Sequence, residues 1–116
     1  MNRLRSAADI ERVRREGRSY AHPLVVVIAA ASSVVSSEAA PPDPVESRAA
    51  VVAGRRIGGA VIRNRAKRLL REAWRREKVR SGWDVMLVAR AAIVGARLVE
   101  VQAAVHQMLQ RATLLS

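Results

Sequence analysis

The sequence predicts one compact domain in which helices and strands are mixed. Its 116 residues are enough to enclose a single hydrophobic core, and 50% of them are apolar. Runs rich in β-branched residues alternate with amphipathic segments that have the period of a helix. One such segment stands between two strand-like runs, from Arg48 to Arg90, which is the pattern of a βαβ unit. The usual rule for such units predicts a right-handed crossover.

The first element is predicted to be a short helix. Ser6 and Asp9 stand at the two ends of a capping box in which Asp replaces the usual Glu or Gln. Ile10 and Val13 would face the core, and Gly17 is a suitable residue for the helix to stop at.

Two strand runs and a loop follow. Residues 20–30 are largely β-branched, as expected for a strand buried on both faces, and Pro23 divides them into a short edge piece and a longer strand. Residues 31–47 are rich in Ser, Ala and Pro and are predicted to form a flexible surface loop. A further strand covers residues 48–53 and ends at Gly54.

The second half is predicted to hold a basic helix, a strand and a final helix. The basic helix runs from about Gly59 to Lys78, and a turn at Gly82 leads into a strand over residues 83–90. The final helix has a core stripe at helical spacing, formed by Leu98, Val101, Val105, Met108, Leu109 and Ala112.

The positive charge is concentrated in one segment. Between Arg55 and Arg80 there are eleven Lys or Arg residues and only two acids, so this segment carries +9 of the formal net charge of +11. Like charges four residues apart, such as Lys67 and Arg71, repel each other by roughly 0.2–0.5 kcal/mol on a helix. A polyanionic partner explains such an accumulation better than solvation alone.

The basic helix has two distinct faces. On a wheel of about 100° per residue, an apolar face lies within about 80° of Ile62 and includes Ala66, Leu69, Leu70 and Ala73. The opposite face carries Asn64, Lys67, Arg68, Arg71, Arg75 and Lys78. One face can pack on a core while the other presents cations to phosphates. RNA, DNA and an anionic membrane are the candidate partners.

The residues offer no catalytic or metal-binding group in the protein itself. There is no cysteine, and His22 and His106 lack the spacing of metal ligands. Asp84 precedes a strand, where a turn-forming role is expected. The glycines before the basic helix match neither a dinucleotide fingerprint nor a P-loop, and are expected to form a tight turn whose amides face a phosphate.

The N-terminus has no signal-like core, and no apolar run approaches the roughly 18 residues needed to cross a bilayer. The chain is therefore expected to be cytoplasmic, without a membrane partner.

Residues 58–73, which read GGAVIRNRAKRLLREA, resemble the signature of the bacterial ribonuclease P protein subunit. The resemblance covers the chain. Residues 3–19 are similar to that family's first helix and its exit, and residues 82–90 are similar to its last strand.

The resemblance implies an accessory subunit of a ribonucleoprotein endoribonuclease. Members of the family bind a large catalytic RNA, and the pair removes the 5′ leader from precursor tRNA by Mg²⁺-dependent hydrolysis. The RNA carries the active site and would bind most of the Mg²⁺. One protein for each RNA, monomeric when free, is expected.

The implied fold is α+β, in the order α-β-β-β-α-β-α, with a central mixed sheet like that of a ribosomal protein domain. Its βαβ crossover is left-handed, against the usual rule. The whole chain, residues 1–116, would form this domain.

Two sites follow from the resemblance. The catalytic RNA would contact Arg63, Asn64, Arg65, Lys67, Arg68 and Arg71, with Arg75 on the same polar face and with Arg55 and Arg56 in place of a Lys pair. A cleft beside the first helix would hold the leader, through Ile10, Arg14, Tyr20, Val27 and Val51. Because the chain has no Phe, leader binding should depend more on charge and apolar contact than on stacking.

Two other functions fit the same residues. A structural RNA-binding protein of the ribosomal type would have a similar βαβ core and no role in tRNA processing. A membrane-surface helix is disfavoured because the apolar face is mostly Ala and Leu and is needed for the core.

Overall fold

The computed structural model describes residues 2–32 and 46–116, so most of the predicted loop at 31–47 lies outside the described residues. Seven main elements follow in the predicted order α-β-β-β-α-β-α, which is confirmed: α1 (Ala7–Glu16), β1 (Arg18–Ala21), β2 (Val25–Ala31), β3 (Arg48–Val52), α2 (Ala60–Arg75), β4 (Trp83–Ala89) and α3 (Leu98–Arg111). Short 3₁₀ turns, Arg55–Ile57 and Ala91–Ile93, precede α2 and α3. Within these described ranges, no helix has both the length and the hydropathy to cross a bilayer.

The strands form one mixed sheet in the order β1-β2-β4-β3. The pairs β1–β2 and β2–β4 are antiparallel, and β3–β4 is parallel. Since α2 connects the two parallel strands, the predicted βαβ unit is confirmed. The chain before α1 extends the sheet beyond β3, because the Leu4 amide donates to the Ala49 carbonyl at 2.9 Å and the Ala49 amide donates to the Asn2 carbonyl at 3.0 Å.

Each face of the sheet is covered by different helices. Val25, Val27, Val85 and Leu87 belong to the main core cluster, with residues of α2 and α3. On the opposite face Ile28, Ala50, Met86 and Val88 pack with Leu4 and with Val13 of α1. Successive residues of a strand point to opposite faces, so the predicted burial of β2 on both sides is confirmed.

The start of α1 is capped as predicted, since the Ser6 hydroxyl accepts from the Asp9 amide at 3.4 Å. Val13 is fully buried and Ile10 packs beside the same cluster. The helix ends at Gly17, which is confirmed, but with φ −74° rather than in the left-handed region. Glycine is needed there for space: a Cβ would lie 2.5 Å from the Val13 carbonyl oxygen and 2.8 Å from Cγ2 of Ile28.

Gly17→Ala is therefore expected to destabilise the fold by about 1–3 kcal/mol, the usual cost of forcing an extra group into a packed site. Denaturant unfolding measures this. Gly54→Ala is the matched control, because its φ is also −74° and a Cβ there would meet no atom within 4 Å. Equal stabilities of the two variants would contradict the steric explanation.

Helix α2 ends at Arg75, three residues earlier than the sequence predicts. The following residues pair with the C-terminus instead: the Arg80 amide donates to the Leu114 carbonyl at 2.7 Å, and the Ser116 amide donates to the Lys78 carbonyl at 2.9 Å. These long-range bonds replace the last predicted turn of the helix, so Lys78 is not part of its polar face.

Candidate nucleic-acid interface

The buried side of α2 is formed by Ala66, Leu70, Ala73 and Trp74. The predicted apolar face was only partly right, because Leu69 is half-buried and Ile62 is 41% exposed. The true face is rotated toward Trp74, which is 6% exposed and belongs to the core cluster shared with α3 and the sheet. The polar side remains outward, and we call it the basic face: Asn64, Lys67, Arg68, Arg71 and Arg75.

Most cations in this region have no acidic partner. In the described structure the ion pairs of α2 are confined to its C-terminal end, where Arg75 and Arg76 each lie 3.3 Å from Glu72. No ion pair within the described ranges involves Arg55, Arg56, Arg63, Arg65, Lys67, Arg68 or Arg71. Their charges are therefore available to a polyanion.

Two arginines of the predicted RNA site are less free than the others: one is bound to a backbone carbonyl and the other is half-buried. The Nη2 of Arg65 donates to the Ala96 carbonyl at 2.9 Å, which ties α2 to the segment before α3. Arg63 is half-buried, and its Nε has no hydrogen-bond partner among the described residues. Arg63 thus differs from Arg68, which is exposed, whereas Arg65 is exposed but tied to a backbone carbonyl.

The turn before α2 adds to the positive surface. Gly58 has φ +149°, a conformation that favours glycine. Gly59 is the N-cap of α2 and provides no side-chain acceptor, and the first turn of the helix contains no acid. The first amides of the helix are thus left to an external acceptor, with the positive end of the helix dipole beside exposed Arg55 and Arg56.

A basic groove connects α1 and α2 around the edge of β3. Its cavity has a volume of about 290 Å³. Cations at its rim are Arg3, Arg5 and Arg71, and apolar side chains in it include Ile10 and Val52. We call this cavity the groove. Because Arg71 belongs both to the groove and to the basic face, the two form one continuous positive surface.

Two of the three strand residues predicted for the leader cleft lie on the sheet face away from α1. Val27 is fully buried in the core on the α2 and α3 side, and Val51 packs against the same cluster. Tyr20 is paired with Val27 across β1 and β2, so it shares that face. Val27 and Tyr20 therefore lie on the face opposite α1, because a shift of one residue moves a side chain to the other face of a strand. Val51 also lines the groove, so its predicted contact with the leader stays a prediction.

The other two predicted cleft residues lie on α1. Ile10 is in the groove, and Arg14 is exposed on the helix surface. The strand residues that do face α1 include Ile28, Ala50 and Val52.

Asp84 has a role that the sequence did not indicate. It is fully buried, and its Oδ2 accepts from Arg12 of α1 at 2.6 Å and from Arg48 of β3 at 2.8 Å. A second bond joins Nε of Arg48 to Oδ1 at 3.0 Å. The expected turn-forming role is therefore wrong: Asp84 anchors α1 to two strands and so positions one wall of the groove.

The negative charge of Asp84 also affects its partner Arg48. The hydrogen bond to Asp84 raises the pKa of the Arg48 guanidinium above its ordinary value, with help from the negative charges of Asp84 and Asp9 and against the effect of burial. Arg48 and Asp84 are directly paired across β3 and β4. The sequence does show an arginine and an acid at the starts of two apolar strand runs. Their pairing could not be inferred from this, because it depends on the register of the two strands.

The described residues contain no cluster of metal-ligating side chains. No group of three or more His, Cys, Asp or Glu side chains that could hold a metal ion occurs in residues 2–32 and 46–116. Asp84, which is buried against two guanidinium groups, is not available as a ligand.

Comparison with known proteins gives a consistent result. Residues 1–113 match the family model described as Ribonuclease P. The "Ribonuclease P protein component" of Herpetosiphon aurantiacus is 40% identical over 114 residues, which cover 97% of this chain and 85% of that protein. The protein of the same description from Dehalococcoides mccartyi strain CBDB1 is 32% identical, over 99% of this chain and 88% of the relative.

Solved structures agree with the fold. The ribonuclease P protein of Staphylococcus aureus superposes with a TM-score of 0.81, at 21% identity, over 100% of this chain and 99% of the other. The ribonuclease P protein of Thermotoga maritima has a TM-score of 0.77 at 26% identity, with coverage of 96% and 97%. The four-stranded mixed sheet and its helices are therefore shared with these proteins.

Proposed function

Because this chain belongs to the ribonuclease P protein family, we propose that it binds precursor tRNA as well as the catalytic RNA and assists removal of the 5′ leader. As a member, it is a component of a ribonucleoprotein endoribonuclease, and its partner is the ribonuclease P RNA. The observation that carries the proposal is the set of cations around α2 that lack acidic partners in the described structure.

The basic face is proposed to contact the catalytic RNA. Guanidinium groups form bidentate bonds to phosphate oxygens and remain charged at all relevant pH values. Arg68 is exposed and Arg71 is half-buried, and both project from a helix whose opposite side is fixed in the core. Arg55, Arg56 and the first amides of α2 would extend this contact to neighbouring phosphates.

The groove is proposed to hold the single-stranded leader. Arg3, Arg5 and Arg71 can meet the phosphates, and Ile10 and Val52 offer apolar contact to bases. No aromatic side chain is among the described residues that line the groove, so contact with the leader would depend on charge and apolar surface rather than on stacking.

The chemistry itself is assigned to the RNA. Catalysis in this family depends on Mg²⁺, and the described residues contain no cluster of three or more His, Cys, Asp or Glu side chains that could hold a metal ion. The protein would contribute fixed positive charge close to the substrate phosphates. Such charge replaces condensed counterions, so the complex should need less Mg²⁺ than the RNA alone.

Reconstitution tests this function directly. With the ribonuclease P RNA and a precursor tRNA of the same organism, the protein is expected to raise the rate of leader cleavage most strongly at low Mg²⁺. Rigorously RNA-free protein is expected to cleave no precursor at any Mg²⁺ concentration, because its described residues contain no cluster of three or more His, Cys, Asp or Glu side chains to bind the metal and activate water.

Two results would contradict the proposal. Cleavage at the mature 5′ end by protein alone would show that the reacting groups are in the protein. If the RNA cleaves equally well with and without the protein at every Mg²⁺ concentration, the chain has no part in leader removal. The alternative of a ribosomal-type RNA-binding protein predicts that second result.

A further inference from the structure

A second cavity lies at the end of the sheet where β2 ends and β4 begins. Its volume is about 530 Å³, which is within the range of small-molecule sites, about 300–1,000 Å³. Its lining includes Arg18, Tyr20, Ala29, Ala31, Trp83 and Thr113. We call it the aromatic cavity.

The strand pairing explains why this region is concave. Arg18 is paired with Ala29 and Trp83 is paired with Ala31, so these side chains share one face of the sheet. Because alanine side chains are small, Ala29 and Ala31 leave space between the larger side chains around them. Helix α3 covers the same face but ends at Arg111, so this end of the sheet lies beyond the helix.

The lining residues have the chemistry of a site for single-stranded nucleic acid. The chain has only three aromatic residues, and two of them, Tyr20 and Trp83, are half-buried in this lining. Bases stack on such side chains, and an adjacent cation can bind the phosphate.

Among the charged residues that line the aromatic cavity, Arg18 is available to bind an anion. Arg18 is exposed and forms no ion pair within the described ranges. Arg12 is held by Asp84 at 2.6 Å and by the Ala31 carbonyl at 3.0 Å. The one acid among the described lining residues, Glu16, lies 3.8 Å from Arg12 and 3.7 Å from Arg15, which reduce its repulsion of a phosphate.

We propose that the aromatic cavity binds an unpaired nucleotide of RNA, with its base against Tyr20 and Trp83 and its phosphate at Arg18. The cavity is separate from the basic face, because α3 packs over β1 and β2 whereas α2 packs over β3 and β4. The protein would therefore have a second RNA contact on the far side of α3. This inference rests on the proposed function, in that the ligand is RNA.

Two-dimensional NMR of the isotopically labelled full chain can distinguish RNA contact at the aromatic cavity from RNA contact at the basic face. A short single-stranded oligoadenylate is expected to shift the indole N–H signal of Trp83 and the amide signals of Ala29 and Ala31. The indole signal of Trp74, which is 6% exposed, should not move. Heparin, a polyanion without bases, is expected to shift the amides of Arg68 and Arg71 but not the Trp83 indole.

Variants then test which groups bind. Tyr20→Leu is expected to weaken oligoadenylate binding, measured from the Trp83 indole signal, by about fivefold or more. This is the smallest loss expected when one base can no longer stack on an aromatic ring. Arg18→Ala should weaken it as well, and because Arg18 is exposed this variant should fold normally. Arg90→Ala removes the same charge at the opposite end of β4 and should leave this binding unchanged.

The outcomes distinguish this inference from the proposed function. If oligoadenylate shifts the α2 amides but not the Trp83 indole signal, the aromatic cavity is not an RNA site, and the proposed RNA contact of the basic face is retained. If Trp83 shifts equally with heparin, base recognition is excluded there. If neither region responds to RNA, both proposals fail.

Discussion

Asp84→Ala is expected to destabilise the protein by about 3–5 kcal/mol, the usual cost of removing one partner from a buried ion pair. Asp84 is fully buried, and Arg12 and Arg48 both bind its carboxylate. The substitution removes the nearest counter-charge that the two guanidinium groups share and leaves them with Asp9, at 3.9 Å from Arg12 and 3.5 Å from Arg48. A small domain is stable by only about 5–15 kcal/mol, so this loss should be large enough to shift the unfolding midpoint strongly.

Chemical unfolding followed by circular dichroism would measure the effect. Glu72→Ala is a matched control, because Glu72 also has two arginine partners, each at 3.3 Å, but its side chain is 37% exposed. Ion pairs at the surface contribute about 0–1 kcal/mol, so this variant should be close to wild type. If Asp84→Ala is no less stable than Glu72→Ala, the buried contact does not hold α1 to the sheet.

The double substitution of Arg68 and Arg71 by Ala is expected to have the largest effect on RNA binding. The two residues are about 60° apart on the helix, and neither forms an ion pair in the described structure. Removing the cation that neutralises one phosphate should make the slope of log affinity against log salt shallower by about 0.7–0.9. The double variant, which removes two such cations, should therefore reduce the magnitude of the slope by roughly 1.4–1.8.

A salt series of binding measurements with the catalytic RNA provides the test. Arg15→Ala, which removes an exposed charge from α1, should leave the salt slope nearly unchanged. Wild-type affinity and slope in the double variant would mean that the basic face is only solvated, and the proposed RNA contact would be wrong.

Leu70→Ala is the complementary control on the other side of α2. Leu70 is fully buried, so the variant should lose about 2–5 kcal/mol of stability through a cavity in the core. The salt slope of the protein that remains folded should not change. The helical wheel also placed Leu69 on the apolar face, but Leu69 is only half-buried. Leu69→Ala should therefore lose less stability than Leu70→Ala.

The order of the elements could be predicted because its signals are local. Ser6 caps a helix through a residue three positions later, and Pro23 interrupts a strand where it stands. The resemblance of residues 58–73 to a known signature then implied the family, which the comparisons over residues 1–113 confirmed. The assignment of the polar face of α2 to RNA contact remains a prediction.

The groove was harder to predict because its strand residues depend on register. Residues 25–28 are all apolar, so no alternation indicated which of them face α1. Tyr20 and Val27, which the structure places on the face opposite α1, were assigned to the cleft for this reason. The partnership of Arg48 with Asp84 depends likewise on the parallel pairing of β3 with β4, which joins residues far apart in the chain.

The sequence by itself determined where the charge lies, which segments are helical or extended, and the family, since composition, periodicity and motif are properties of neighbouring residues. Only the tertiary structure decided that Gly17 must be small, that Asp84 holds α1 in place, and that α2 ends at Arg75. Each of these depends on atoms brought together by the pairing of distant segments. Steric fit, burial of charge and competition between hydrogen bonds arise only when those segments meet.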